Sequence, residues 1–298
     1  MKRLFAALLT VALVVGAVPA AEARTGKEKW RERGTVTAIV DGDTFDLLIG
    51  TTVQRVRING IQAPESSWCG GKEAKKALKK LLPVGTKVRL ASIKAGSGNA
   101  PNGVWRIKRT VHVKQGKKWV DIAPQLLSAG LVFPFPFIGE KAHNDEYLDL
   151  GLAASRANVG LYHPETCGEA KDGAGDHLTI QVVPDGPGHG ADSEFALIYN
   201  GSKSDVDLKG WMVQDTSPLN AFFFPKGAKV RADDFVVVFS SSGKRGRAPD
   251  GSKDNRYFYA GTGARWNNST SDIAFLFDDA GKDRTGNLRD WVVVAPPD

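Results

Sequence analysis

The chain has 298 residues, with 40 Lys and Arg against 33 Asp and Glu and a formal net charge of +7. That length accommodates two domains of about 100–200 residues, each large enough to bury its own core. No segment after residue 23 is apolar enough for a bilayer span of about 20 residues, and the absence of C-x-x-C and H-E-x-x-H excludes the usual zinc signatures.

Lys2 and Arg3 precede an apolar run from Leu4 to Val18, and Ala21-Glu22-Ala23 has the A-x-A form of a signal-peptidase site. Residues 1–23 are therefore expected to be a cleaved signal peptide, with Val18-Pro19-Ala20 as a second candidate site. The mature chain is then expected outside the cytoplasm, secreted or associated with the envelope. The alternative is an uncleaved anchor, for which the apolar run is short. Residues 24–33 are polar, charged and aperiodic and read as a flexible lead-in.

Thr35 to Val40 is rich in β-formers and runs into Asp41-Gly42-Asp43, a turn signal. Thr44 to Ile49 and Gln54 to Ile61 read as the next strands. From Lys72 to Leu82, Ala74, Ala77, Leu78, Leu81 and Leu82 recur at helical spacing with lysines between them, an amphipathic helix with a basic outer face. Lys87 to Ile93 and Arg109 to Val113 read as two more strands, separated by a Gly-rich loop over 95–103. Ile122 to Ala129 and Asn144 to Ala157 read as helices. Five strands with interleaved helices predict an α+β fold over 34–165, a small barrel with helical cover. Residues 166–177 read as a linker. Over 178–298 every run is strand-like: Leu178–Val183, Phe195–Tyr199, Trp211–Gln214, Phe235–Phe239, Ile273–Phe277 and Trp291–Val294. Turns such as Asn200-Gly201 and Asp279-Ala280-Gly281 separate them, which predicts an all-β sandwich.

Charge divides unevenly between these halves. Residues 24–165 hold 23 Lys and Arg against 13 Asp and Glu, whereas 166–298 hold 15 against 19. A basic first half suits a polyanionic partner, because each neutralised phosphate releases condensed counterions. A well-solvated basic surface is the plainer reading. Cys69 and Cys167 suit an oxidising compartment and are expected to pair, closing a long loop.

Asp41-Gly42-Asp43-Thr44, Arg57, Gly60-Ile61-Gln62-Ala63-Pro64-Glu65, Arg109-Thr110-Val111 and Gly160-Leu161-Tyr162 follow one another in an order that resembles the thermonuclease (staphylococcal nuclease-like) family. The resemblance covers about Thr35 to His163 and implies a five-stranded OB-like barrel. It implies a Ca2+ ion on Asp43, since a hard cation wants oxygen donors, with the backbone carbonyl of Ala63 as a further ligand. It also implies Glu65 as the general base and Arg57 and Arg109 as the two arginines that grip the phosphate. The resemblance breaks at Gln62. Relatives usually carry an aspartate there, and a neutral carbonyl oxygen predicts weaker metal binding. Trp105 and Lys108 are candidate nucleic-acid contacts. Trp105 either stacks on a base or anchors its loop. The five histidines show no ligand spacing.

In the second half, Val206-Asp207-Leu208-Lys209-Gly210-Trp211, Phe223-Phe224-Pro225-Lys226-Gly227, and Trp266-Asn267-Asn268 with Ile273 to Asp278 resemble the lamin-tail domain. That implies an immunoglobulin-like sandwich, with Trp211 in its core and no catalytic set. Taken together, the residues and the two resemblances predict a secreted calcium-dependent nuclease. It would act on DNA and RNA with little sequence preference and leave 3′-phosphates. Two alternatives stand beside it. One is a non-catalytic nucleic-acid-binding protein with a degenerate site, marked by Gln62. The other is an envelope-associated protein in which the sandwich binds a polymer or a protein partner.

Overall fold

The structure is a computed structural model that describes residues 27–66, 68–100, 103–137, 139–163, 166–167, 178–183, 194–216, 220–261, 266, 272–278 and 288–294. The expected signal peptide, residues 168–177 of the expected linker, and the Asp279-Ala280-Gly281 turn lie outside these residues.

The amino-terminal domain contains strands β1 (Lys29–Ile39), β2 (Thr44–Ile49), β3 (Thr52–Ile58), β4 (Ile61–Gln62), β5 (Lys87–Ser92), β6 (Gly98–Asn99), β7 (Arg106–Gln115), β8 (Lys118–Asp121) and β9 (Phe133–Pro134). Its α-helices are α1 (Gly71–Leu81), α2 (Ala123–Ser128) and α3 (Asn144–Arg156). Hydrogen-bonded neighbours run β3-β2-β1-β5-β7, and parallel pairing of β7 with β3 closes the ring. Five strands thus form the barrel expected from the sequence, while β6 and β8 extend β7 outward. Closure leaves no open edge among the five. Alternate residues face inward: Phe45 and Leu47, Val56 and Ile58, Val88 and Leu90, Val111 and Val113 are all buried in one core. Ala74 and Leu78 of α1, Leu126 and Leu127 of α2 and Tyr147 of α3 close it from outside the ring.

Three local expectations change. The strand expected over Gln54–Ile61 splits into β3, which ends at Ile58, and β4, which begins at Ile61. Residues 29–33 are not a lead-in: β1 starts at Lys29 and pairs with β5, Trp30 opposite Ala91 and Arg33 opposite Arg89. A register shift between Trp30 and Arg33 breaks the two-residue alternation there, so charged residues sit in a strand with no period to betray it. The strand expected over Arg109–Val113 is β7, which starts three residues earlier and runs two further.

The carboxy-terminal domain contains β10 (Leu178–Val183), β11 (Phe195–Asn200), β12 (Val206–Asp207), β13 (Met212–Gln214), β14 (Phe222–Phe223), β15 (Lys229–Val230), β16 (Asp234–Phe239), β17 (Tyr257–Tyr259), β18 (Asp272–Phe277) and β19 (Leu288–Val294). Two four-stranded sheets, β10-β11-β16-β17 and β14-β13-β18-β19, face each other across a core holding Ile198, Trp211, Val238, Phe258 and Leu276. Strand β17 pairs in parallel with β16. A third apolar cluster joins the domains, with Phe133, Leu161 and Tyr162 on one side and Phe275, Phe277 and Trp291 on the other.

Cys69, just before α1, is disulfide-bonded to Cys167, 98 residues further on. Cys167 is buried, so it belongs to the folded domain and not to a linker. Constraining so long a loop is worth about 2–5 kcal/mol. Replacing both cysteines by serine should lower the unfolding free energy in urea by about that amount, whereas an unchanged urea midpoint would show that the bridge contributes nothing.

Candidate active site

The turn between β1 and β2 builds the first part of the site. Val40 and Asp41 both donate their N–H to the carbonyl of Thr44, at 2.9 and 3.2 Å. Asp41 Oδ1 accepts the N–H of Asp43 at 3.0 Å, an Asx turn. Gly42 presses on α1. A Cβ there would lie 2.6 Å from that of Ala74 and 2.7 Å from that of Ala63, so only glycine lets the turn seat this close. Asp43 is consequently buried, with 3% of its surface exposed. Its Oδ1 accepts the Thr44 hydroxyl at 2.8 Å and its Oδ2 accepts the Ala63 N–H at 2.6 Å. Arg57 Nη1 forms an ion pair with the same Oδ2.

Arg57 reaches Asp43 from β3, where it lies opposite Thr44 in the β2–β3 register. Its Nη2 donates to the Ile61 carbonyl at 2.9 Å and to Gln62 Oε1 at 2.7 Å. Gln62 Nε2 in turn donates to the Ala63 carbonyl at 3.0 Å. Burial draws the Arg57 pKa down to about 9, helped by Arg106 and opposed by Asp41 and Glu65, so the guanidinium stays charged at neutral pH. Glu65 is exposed overall, but its carboxyl is partly shielded by packed chain. That shielding, together with Asp41, pushes its pKa up against the pull of Arg57 and Arg106. Asp41, Asp43, Arg57, Gln62, Glu65 and Arg106 therefore share one electrostatic neighbourhood.

Arg109 does not belong to it. All five of its donor hydrogens are engaged: Nε and Nη2 to the Glu32 carboxylate at 2.8 and 2.7 Å, Nη1 to the Ser97 and Lys108 carbonyls at 3.0 and 2.8 Å, and Nη2 also to the Ala95 carbonyl at 2.8 Å. With 2% of its surface exposed it has nothing left for a phosphate. The reason is strand parity. Paired residues of parallel strands point to the same face, and the register sets Arg55 beside Arg106, Arg57 beside Lys108, and core-facing Ile58 beside Arg109. The second cation beside Arg57 is Arg106, which the sequence reading passed over. Asp41 was read only as a turn residue.

Lys108 is buried, and its Nζ lies 3.1 Å from the centroid of the Phe137 ring. Burial first, then Arg57 and Arg106, lowers its pKa to about 7 against the pull of Glu140. Glu140, buried and with no sequence signal, ties down the adjacent loop. It accepts the N–H groups of Ile93 and Lys94 at 2.6 and 2.9 Å and the Ser97 hydroxyl at 2.5 Å. Trp105 is half exposed and its ring lies over Gly98.

Among the described residues no group of three or more His, Cys, Asp and Glu is arranged to hold a metal ion. The oxygens of Asp43 and Gln62 nevertheless converge on one positive group, the Arg57 guanidinium. The donors therefore fit a cation of low affinity: one carboxylate, two neutral carbonyls, and an arginine that must move aside.

A five-stranded barrel with this turn and arginine pair, followed by an immunoglobulin-like sandwich, agrees with the expected thermonuclease-like domain joined to a lamin-tail-like domain. Residues 172–295 match the family model for the Lamin Tail Domain. The amino-terminal part is similar to a Micrococcal nuclease from Shigella flexneri, 39% identical over 79 residues, 26% of this chain and 42% of that protein. The chain is also similar to Protein ParB from Escherichia coli, 46% identical over 50 residues, 16% of this chain and 28% of that protein. The chain thus spans less than half the length of the curated relatives it matches.

Breaking a buried ion pair by removing one partner costs about 3–5 kcal/mol. Because Glu32 is partly exposed, Arg109→Ala should fall at the low end of that range in urea unfolding, whereas Arg106→Ala should change stability by less than about 1 kcal/mol. Equal losses in the two variants would contradict the division of roles drawn here.

Proposed function

We propose that the chain is an exported nuclease that hydrolyses phosphodiester bonds in DNA and RNA with little sequence preference at the Asp43–Arg57–Glu65 site. The observation that carries this reading is the Asp43–Arg57 ion pair together with Asp41, Glu65 and Arg106 around it, two arginines and three acidic residues in one neighbourhood. Hydrolysis concentrates negative charge on phosphorus oxygens in the transition state, and fixed positive charge there lowers the barrier. Arg57 is suited to donate paired hydrogen bonds to those oxygens once it leaves Asp43. Arg106 adds a second charge from the neighbouring strand, and Lys108 a third. Glu65 faces solvent and is the group to take the proton from an attacking water. When bound, a calcium ion on Asp43, the Gln62 side chain and the Ala63 carbonyl supplies Lewis-acid stabilisation of the phosphate.

A second reading, nucleic-acid binding without cleavage, is favoured by one observation: Asp43 and Gln62 are both occupied by Arg57. Mature protein incubated with plasmid and single-stranded RNA, with calcium or with chelator, separates the two. Calcium-dependent nicking that Glu65→Gln abolishes is the expected result. Binding without nicking would select the second reading.

Gln62→Asp restores a second carboxylate, and affinity for calcium rises with ligand charge. Calcium titration by calorimetry should show at least about tenfold tighter binding in that variant, and no change would remove Gln62 from the ligand set.

The lowered pKa of Lys108 gives a pH dependence with a definite sign. The side chain is charged below about 7 and neutral above it, so oligonucleotide affinity measured by fluorescence anisotropy should fall as pH rises through that value. Lys108→Arg stays charged and should flatten the fall. An equally steep fall in the variant would assign the effect elsewhere.

A further inference from the structure

We propose that the lamin-tail domain forms part of the working site: its strands β18 and β19 brace the segment Ile61–Gly70, which carries Gln62 and Glu65, and so make Trp68 a positioning residue for Glu65. This inference rests on the nuclease reading above.

The segment needs external support. Strand β4 is two residues long, and no described residue from Ala63 to Gly70 lies in a helix or strand. Arg57 and Asp43 tie its first three residues, but beyond Ala63 the main-chain bonds among the described residues are two turns, Trp68 N–H to the Glu65 carbonyl at 2.8 Å and Gly71 N–H to the Trp68 carbonyl at 3.1 Å. A stretch held this sparsely opens readily unless packing holds it.

Packing comes from the other domain at both ends. At the Gln62 end, β4 pairs with β9, setting Gln62 opposite Phe133. The Phe133 ring lies 4.7 Å from that of Phe275 and 5.9 Å from that of Trp291. At the Glu65 end, the Trp68 ring meets Phe275 and Phe277 edge-on at 6.4 and 6.0 Å. Phe275 touches both ends. Behind Trp68, Cys69 is bonded to Cys167, whose carbonyl accepts the Leu288 N–H of β19 at 2.6 Å. Gly70, with φ of 81°, has no room for a Cβ, which would run into Leu161 and lie 3.5 Å from Cys167 Sγ. The turn after Glu65 therefore follows the position of the β18–β19 sheet.

Such a brace matters for catalysis because a general base works only within hydrogen-bond reach of its proton, and a misplacement of about 1 Å can cost on the order of 100-fold in rate. Removing a brace disturbs the placement of Glu65 more than the capture of substrate by the arginines. Its signature is a fall in kcat with KM nearly unchanged.

The test uses full-length mature protein. Phe277→Ala and Trp68→Ala should each lower kcat by about tenfold or more with KM changed less than about twofold. The double variant should be no worse than Trp68→Ala alone, since Phe277 acts on Glu65 through the Trp68 ring. Trp68→Phe should recover most of the rate. Phe277→Leu keeps apolar bulk without an aromatic edge. It should show the same loss if Phe277→Ala does not fold. In parallel, hydrogen exchange should rise in the 62–71 peptide of the Phe277 variants and stay unchanged in β2, β3, β10 and β11. Normal kcat in a folded Phe277 variant, or unchanged exchange at 62–71, overturns the brace. If the wild-type protein cleaves nothing, the nuclease reading falls by itself, and the exchange result alone decides whether the sandwich holds this segment.

Discussion

A guanidinium buried in a barrel wall must be surrounded by oxygens, or its desolvation goes uncompensated. Arg57 meets that requirement with Asp43, the Ile61 carbonyl and Gln62, and the geometry of the site follows from how those three oxygens are delivered. Asp43 is delivered by a turn that only Gly42 allows to approach α1. Ile61 and Gln62 are delivered by the short ladder of β4 with β9. One cation therefore ties together a turn, a strand and a loop that the Ala63 N–H to Asp43 bond and the β2–β3 ladder also hold. The same lock keeps the carboxylate and the amide oxygen aimed at a single positive centre. In the nuclease reading we propose, a metal ion would compete with Arg57 for the same oxygens, and its binding would free the arginine to face substrate.

The parallel pairing of β7 with β3 decides which side chains join that centre. Parallel neighbours in register share a face, and a shift of one residue exchanges inside for outside. Arg106 and Lys108 stand beside Arg55 and Arg57, while Arg109, an odd number of positions from either, turns the other way and meets Glu32. Two arginines three residues apart in one strand thus have opposite fates. One sits among Asp41, Glu65 and Arg57, and the other is a structural pin for the loop that Glu140 also holds.

This explains what the sequence made legible. The D-G-D-T turn, the apolar alternation of β2 and β3 and the lysine-faced helix α1 are local patterns, and local rules read them. The sandwich was legible for the same reason: its strands carry apolar runs separated by strong turn formers. Arg106, Asp41 and Glu140 were not legible, because their roles depend on which strand closes the barrel and where a distant loop lands. Strand β1 over 29–33 was hidden by its bulge. Gln62 was visible as a departure from the resemblance, but its engagement with Arg57 arises only when β4 folds back over β3.

The junction between the domains has physical consequences of its own. The sandwich is the more acidic half of the chain, and opposite net charge alone would give a loose, salt-sensitive association. The contact instead buries aromatic rings from both domains in one continuous cluster, and apolar burial is not screened by salt. Two parts of the barrel domain meet that cluster from close to the site: β9, whose Phe133 belongs to it and which pairs with the strand bearing Gln62, and Trp68, whose ring contacts Phe275 and Phe277 and which follows Glu65 by three residues. A sandwich joined only as a spacer has no reason to spend its Phe275, Phe277 and Trp291 on this short stretch of chain. The same sheet thus holds both ends of the stretch, the Gln62 end through Phe133 and the Glu65 end through Trp68.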